Sequence, residues 1–414
     1  MLNHILPPDT QAILLLCASF GQSRQIEPQP LTLSEYNSLA EWLLQQEMRP
    51  AHLLEPTAKK QLKQLHINKL DPERLLALLE RGAMLSLAVE KWTSRGLWIL
   101  GRSDAQYPKL LKQRLKHSAP AVLYGVGNRE LLSQGGLAIV GSRDVDEELL
   151  AYTRKVAEAS ALDGIQVISG AARGVDQEAM LSILNDGGTS VGVLADSLTK
   201  AAVNGKYRSS IKEGRLTLIS SYDPDAGFNA GNAMGRNKYV YALADYALVV
   251  NSAFGQGGTW AGAVEALSKL KEIPVFVRMS PTASEGNQQL YNQGAKPFPG
   301  ELGNSSLKKL LVEATSAVET HPQINQTSTE IVQDKQAREL TSTPQNIYEA
   351  VLPFILNHLQ QPKDAKTLAH CLEVQPSQMQ EWLKKAVQQG KVRKINKPVA
   401  YVANESVTQL SLLA

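Results

Sequence analysis

Three glycine-bearing turns hold the residues of this 414-residue chain that could do chemistry. The first, Gly141-Ser142-Arg143, is reached directly from the apolar run LAIV at 137–140. The second is SGAARGVD at 169–176, which carries Ser169, Gly170, Arg173, Gly174 and Asp176. The third is FGQGGTWAG at 254–262, with Gly257, Gly258 and Thr259. Each follows a run that reads as a strand and precedes one that reads as a helix. Glycines let backbone N–H groups approach an anion, and a helix N-terminus adds positive potential there. Arg143, Arg173 and Arg236 can supply charge and forked hydrogen bonds. Three such turns in one sheet point to a site for a polyanion.

Catalytic readings find less support. No histidine lies between His117 and His321, so this region has no imidazole base and no histidine metal ligand. A G-x-x-x-x-G-K-[S/T] loop is absent, and no G-x-G-x-x-G opens the first turn, so neither a phosphotransferase loop nor a dinucleotide fingerprint is present. Asp176 and Glu265 are the carboxylates best placed to face a crevice. A helix cap for Asp176 and an ion pair for Glu265 account for them without chemistry. The chain is expected to use no metal and no cofactor.

The elements that must position these turns follow from hydropathy patterning. Apolar runs at 137–140, 165–169, 190–195, 216–220, 246–251 and 274–278 read as strands, and amphipathic stretches at 147–161, 175–185, 235–244 and 259–270 read as helices. Wholly apolar strands alternating with helices predict an α/β fold, a mostly parallel sheet with helices on both faces. Ahead of it, LWILG and AVLYGVG read as further strands, with the helix YPKLLKQRL between them. Residues 1–95 read as a small helical domain (SAM-like or helix-hairpin-helix-like). In it Thr32 caps one helix, Asp71 and Pro72 open another, and Gly82 stops it. The run AILLLCASF is too short to span a bilayer and reads as a buried helix. Two cysteines, Cys17 and Cys371, exclude a disulfide framework and fit a reducing cytoplasm with no membrane partner. The net charge of +3 is small, and residues 135–300 carry 15 basic against 17 acidic side chains, so an anion site there must be local.

Read in order, YPKLL, APAVLYGVGNRELL, LAIVGSR, VISGAARGVDQEAM, NGKYRSSIKEG, GRNKYVYALAD, GGTWAGAVEAL and NQGA resemble the DNA-processing protein A family (DprA, also called Smf). The likeness covers about 95–300 well and the ends more loosely. It implies a Rossmann-like core over 96–315 that binds single-stranded DNA through its phosphates. It also implies a homodimer and the loading of a strand-exchange recombinase. Gly141, Ser142, Arg143, Gly170, Arg173, Gly174 and Asp176 match the family's first two turns, and Gly257, Gly258 and Thr259 the third in altered form. Arg236, Asn237 and Lys238 stand at its Arg-Asn-Arg, the last having lost the guanidinium fork. Lys200, Asn204 and Lys206 join the implied binding set. Lys200-Ala201 replaces a Tyr-Pro, Met180 a His, and Met279-Ser280 a Pro-Gly. Such drift fits a divergent member, recruited for example to a mobile-element or phage-defence role. Two other readings share this kind of fold. In a nucleotide phosphoribohydrolase a catalytic glutamate stands three residues after the glycine-turn Thr, whereas here Glu265 stands six after Thr259, further down the helix. A nucleotide-sensing adaptor would instead hold a small ligand in the crevice.

Residues 316–343, rich in Ser, Thr and Gln, read as a linker. After it, 344–414 compresses three helices and a strand pair, the pattern of a winged helix. Lys384, Lys385, Lys391, Arg393, Lys394 and Lys397 crowd its third helix and wing, a basic face for duplex DNA or for a protein. Ser377 and Gln378 open that helix.

Overall fold

The computed structural model describes residues 6–21, 27–63, 67, 70–302, 306–316, 347–359, 361–372, 374, 376–396 and 399–404. The expected linker from 317 onward, and Lys397 with the turn that it shares, lie outside the described residues. The chain divides into two units, Met1–His321 and Pro322–Ala414.

The first unit is built on nine strands: β1 (Trp98–Gly101), β2 (Val122–Gly127), β3 (Leu137–Val140), β4 (Val167–Ser169), β5 (Ser190–Val193), β6 (Leu216–Ser220), β7 (Tyr246–Val249), β8 (Val275–Met279) and β9 (Lys296–Pro299). Their order is β1-β2-β6-β5-β4-β3-β7-β8-β9. Pairing is parallel from β6 across to β9 and antiparallel for β1–β2 and β2–β6. From β3 the chain winds outward through β4, β5 and β6, then returns to lay β7 on β3's other side. The carboxyl ends of β3 and β7 therefore flank a topological switch point, where open sheets of this type bind ligands.

Alternation within β3 shows how the sheet buries both faces. Leu137 and Ile139 join one apolar cluster, and Ala138 and Val140 join the other. The first cluster continues into the helical segment: Ile13 and Leu14 from the helix Pro8–Cys17, and Trp92 from the helix Gly82–Thr93, belong to it. Packing is thus continuous across residue 95. A Cβ on Gly101 of β1 would stand 2.7 Å from Thr10 Oγ1, so only glycine admits the first helix this close.

Local signals explain where elements begin and end. Thr32 and Glu35 form a capping box on the helix Leu33–Gln45, and Asp71 caps Pro72–Leu79. Gly82 does not stop that helix: it ends at Leu79, and Gly82 is the first residue of the next one. The strand expected from 165 starts at Val167 because the preceding helix exits through a Schellman turn. Gly164 N–H there donates to Ala161 and Ile165 N–H to Ser160. The helix expected from 235 starts at Ala230, because the Asn229 side chain accepts from Asn232 N–H at 3.1 Å. β9 carries two prolines, which an edge strand tolerates.

In the second unit three helices, Ile347–His358, Ala365–Cys371 and Pro376–Gln388, precede an antiparallel pair, β10 (Val392–Asn396) and β11 (Val399–Ala403). Met379, Leu383 and Ala386 turn inward from the third helix. No helix among the described residues is long and apolar enough to cross a membrane.

Candidate nucleic-acid interface

The three glycine turns meet at one cleft of about 510 Å³ above the carboxyl ends of β3 and β7. Gly141, Ser142 and Arg143 line it from the first turn, Ala172 and Asp176 from the second, and Gly257, Gly258 and Thr259 from the third. Two larger hollows, beside Trp92 and beside Trp98, lie away from these turns.

Most of the polar groups in these turns hold the turns together. Thr259 Oγ1 donates to the Gly141 carbonyl at 2.9 Å, and Asn237 Nδ2 donates to the Gly258 carbonyl at 2.7 Å. Ser142 N–H donates to the Asn251 carbonyl, and Gly141 N–H to Asp176 Oδ1 at 3.3 Å. Gly174 has φ +85°, and a Cβ there would stand 2.5 Å from the carbonyl oxygens of both Ser142 and Arg143. Glycine is therefore required for the second turn to rest on the first. Ser169 Oγ donates to the Ile139 carbonyl inside the sheet.

Arg236 is the clearest case. It is 4% exposed, and its Nη1 donates to the Val193 carbonyl at 2.9 Å and lies 3.8 Å from Asp176 Oδ2. A Cβ on Gly170 would fall 1.5 Å from that same Nη1, so the glycine makes room for the guanidinium. Burial pushes Asp176 above the ordinary carboxylate range, although Arg236 and backbone N–H groups of the turns act in the opposite sense. Burial likewise lowers Arg236, with Asp176 opposing. The Arg236 Nε is buried and has no partner among the described residues. Arg236 is thus the floor of the cleft, and it does not offer an exposed clamp.

What faces a ligand is narrower. Arg143 is exposed at the rim, with its guanidinium 5.3 Å from the centre of the Phe228 ring. The same cleft is lined by the start of the helix Gly257–Lys269, whose N-cap Gln256 makes no side-chain cap. The N–H groups of Gly257, Gly258 and Thr259 find no backbone acceptor among the described residues. An exposed guanidinium and an uncapped helix N-terminus in one cleft are both groups that attract anions.

Several expected residues stand elsewhere. Arg173 is exposed but ion-paired with Asp144. Lys200, Asn204 and Lys206 lie beyond β5: Asn204 caps the helix Gly205–Lys212, and Lys206 Nζ donates to Gln177 Oε1 at 3.1 Å. Lys238 is half-buried away from the cleft, where burial lowers its pKa and Glu265 opposes. Glu265 pairs with Lys269 at 3.0 Å and does not line the cleft. Sequence reasoning missed Phe228, Met234 and Gln256 in the lining, together with Phe254 and Trp260 beside it. Single aromatics in loops carry no periodic signal.

On the second unit Lys384, Lys385, Arg393 and Lys394 are exposed, and Lys385 Nζ stands 4.4 Å from the centre of the Tyr348 ring.

Comparison with known proteins matches residues 98–305 to the model of the family described as DNA recombination-mediator protein A. Protein Smf of Synechocystis is 30% identical over 173 residues, 40% of this chain and 42% of that protein. Protein Smf of Escherichia coli is 30% identical over 181 residues, 42% of this chain and 48% of that protein. The chain thus spans less than half the length of these two relatives. The X-ray structure of DNA processing protein A from Streptococcus pneumoniae superposes with TM-score 0.56 at 18% identity, covering 74% of this chain and 97% of that one. It shares the fold.

Proposed function

Because the chain belongs to the DNA recombination-mediator protein A family, we propose that it binds single-stranded DNA through phosphates at the switch-point cleft and serves DNA processing and recombination without catalysing a reaction. One observation carries this reading: exposed Arg143 and the uncapped N-terminus of the helix Gly257–Lys269 line one cleft built from all three glycine turns. An open, shallow-walled anion site of this kind suits a repeating polyanion. Glu265, the residue on which a phosphoribohydrolase would depend, is held by Lys269 outside the cleft, which favours binding over hydrolysis.

In this reading Arg236, Asp176, Gly170 and Gly174 shape the cleft, and Arg143 with the N–H groups of Gly257, Gly258 and Thr259 contacts phosphate. Arg173, Lys200 and Lys206 extend the path along the carboxyl edge of the sheet. A homodimer and the delivery of a strand-exchange recombinase to the bound strand complete the proposal. The second unit acts as a winged helix whose basic face contacts duplex DNA. A gel-shift comparison of single-stranded DNA, duplex DNA and RNA with the full chain tests it, and single-stranded DNA should bind best. Release of free base from nucleoside monophosphates, abolished in Glu265→Gln, would overturn it in favour of the hydrolase.

A further inference from the structure

Aromatic side chains stand in the cleft and in the third glycine turn that lines it. Phe228, 61% exposed, lines the cleft next to Arg143. In the third turn Phe254, 47% exposed, meets Trp260 edge-on with ring centres 5.1 Å apart. Phe254 sits in the loop that leads into the helix Gly257–Lys269, and Trp260 sits in that helix's first turn. Both phenylalanines leave an aromatic face open to solvent at or next to the cleft, where a planar ligand can stack on it. Arg143, Gln256 and Thr259 line the same cleft as Phe228.

We propose that this cleft recognises bases as well as backbone: a nucleotide base stacks on Phe228 on one side of the clamped phosphate, and a second base stacks on the Phe254–Trp260 pair on the other. The proposal rests on the reading of the cleft as a phosphate site and adds to it. Aromatic rings beside a cation suit the base–phosphate repeat of a single strand. In a duplex the base faces are covered by their neighbours and cannot reach either platform. The Arg143 guanidinium over the Phe228 ring also gives that ring a polar neighbour of fixed position, and its charge meets phosphate while its plane lies beside the base. The site therefore takes unstacked single-stranded nucleic acid, tolerates any base because every base has a π-face, and discriminates against a bare polyanion.

Fluorescence anisotropy with the full chain decides the matter, using labelled oligo-dT and an abasic deoxyribose-phosphate strand of equal length. Wild type should bind oligo-dT at least tenfold more tightly than the abasic strand. Phe228→Ala and Phe254→Ala should each weaken oligo-dT by roughly 5- to 100-fold. The salt slope, which counts phosphate contacts, should stay at the wild-type value, and Phe228→Trp should restore affinity. Both rings are exposed, so the melting temperature of each variant should stay within about 2 °C of wild type. If wild type binds both strands equally and the alanine variants match it, base stacking is refuted while the phosphate reading stands. If wild type binds no oligo-dT, the phosphate reading itself fails.

Discussion

Replacing Gly170 by alanine tests the architecture of the cleft where the structure is least tolerant. The new Cβ would stand 1.5 Å from Arg236 Nη1, 2.3 Å from its Cζ and 2.4 Å from Asp176 Oδ2. The guanidinium must leave. It then loses its bond to the Val193 carbonyl and its contact with Asp176. A hydrogen bond to a charged group contributes roughly 1.5–3 kcal/mol, and separating a buried ion pair costs about 3–5 kcal/mol. The two overlap, because the same guanidinium makes both. We therefore expect Gly170→Ala to destabilise the first unit by about 3 kcal/mol in urea unfolding, a drop in melting temperature of roughly 6–12 °C. On an Arg236→Ala background the guanidinium is gone and only Asp176 Oδ2 must give way, so the same change should cost clearly less than on the wild-type background. The defect should also depend on pH. Asp176 already titrates above its ordinary range, and losing Arg236 raises it further. A raised carboxyl contributes stability that is full below its unfolded pKa and lost as pH rises through the folded value. Gly170→Ala should thus be milder near pH 4 than at pH 7. Equal costs on both backgrounds, or a loss under 0.5 kcal/mol at pH 7, would refute the assignment of Gly170 as the pocket for Arg236.

Two further outcomes follow from other parts of the molecule. Asp225 accepts from Thr199 Oγ1 at 2.7 Å and pairs with Lys91 at 2.9 Å, joining the helix Gly82–Thr93 to the loop after β6. Burial pushes its carboxyl up, but these partners prevail and hold it below the ordinary range. A lowered carboxyl stabilises above its unfolded pKa and ceases to as pH falls through the folded one, so the stability gap between wild type and Asp225→Asn should be widest at neutral pH and close below about pH 4. In the second unit, Lys384→Ala with Lys385→Ala should weaken duplex binding and leave affinity for oligo-dT within about twofold, as measured by competition at fixed salt.

Much of the fold was legible because burial on two faces forces a pattern. Four unbroken apolar residues at 137–140, ended by glycine, read as a covered strand, and the structure sets them at the centre of the parallel part of the sheet. Glycine turns after such strands converge wherever the winding reverses, which made the cleft visible from the residue order. The roles within it were less so. Arg143 and Arg236 look alike in sequence, yet one is exposed at the rim and the other buried on the floor, because Gly170 opens a space that only the fold reveals. Gly82 starts a helix where local rules read a stop, since tertiary packing of Leu85 and Trp92 decides there. The Asn229 cap extended a helix by five residues and so brought Ala230 and Met234 into the cleft. Phe228 gave no signal, because a lone loop aromatic has no period.

The salt dependence of single-strand binding tests the central claim most directly. Affinity of the full chain for oligo-dT should fall linearly on a log–log plot against salt, by about 0.7 in slope for each phosphate neutralised. Arg143→Ala should weaken binding for every sequence and reduce that slope by about 0.7. Arg236→Ala should weaken binding with little change in slope, because its guanidinium is buried. An Arg143→Ala variant that binds oligo-dT with wild-type affinity and wild-type slope would contradict the account.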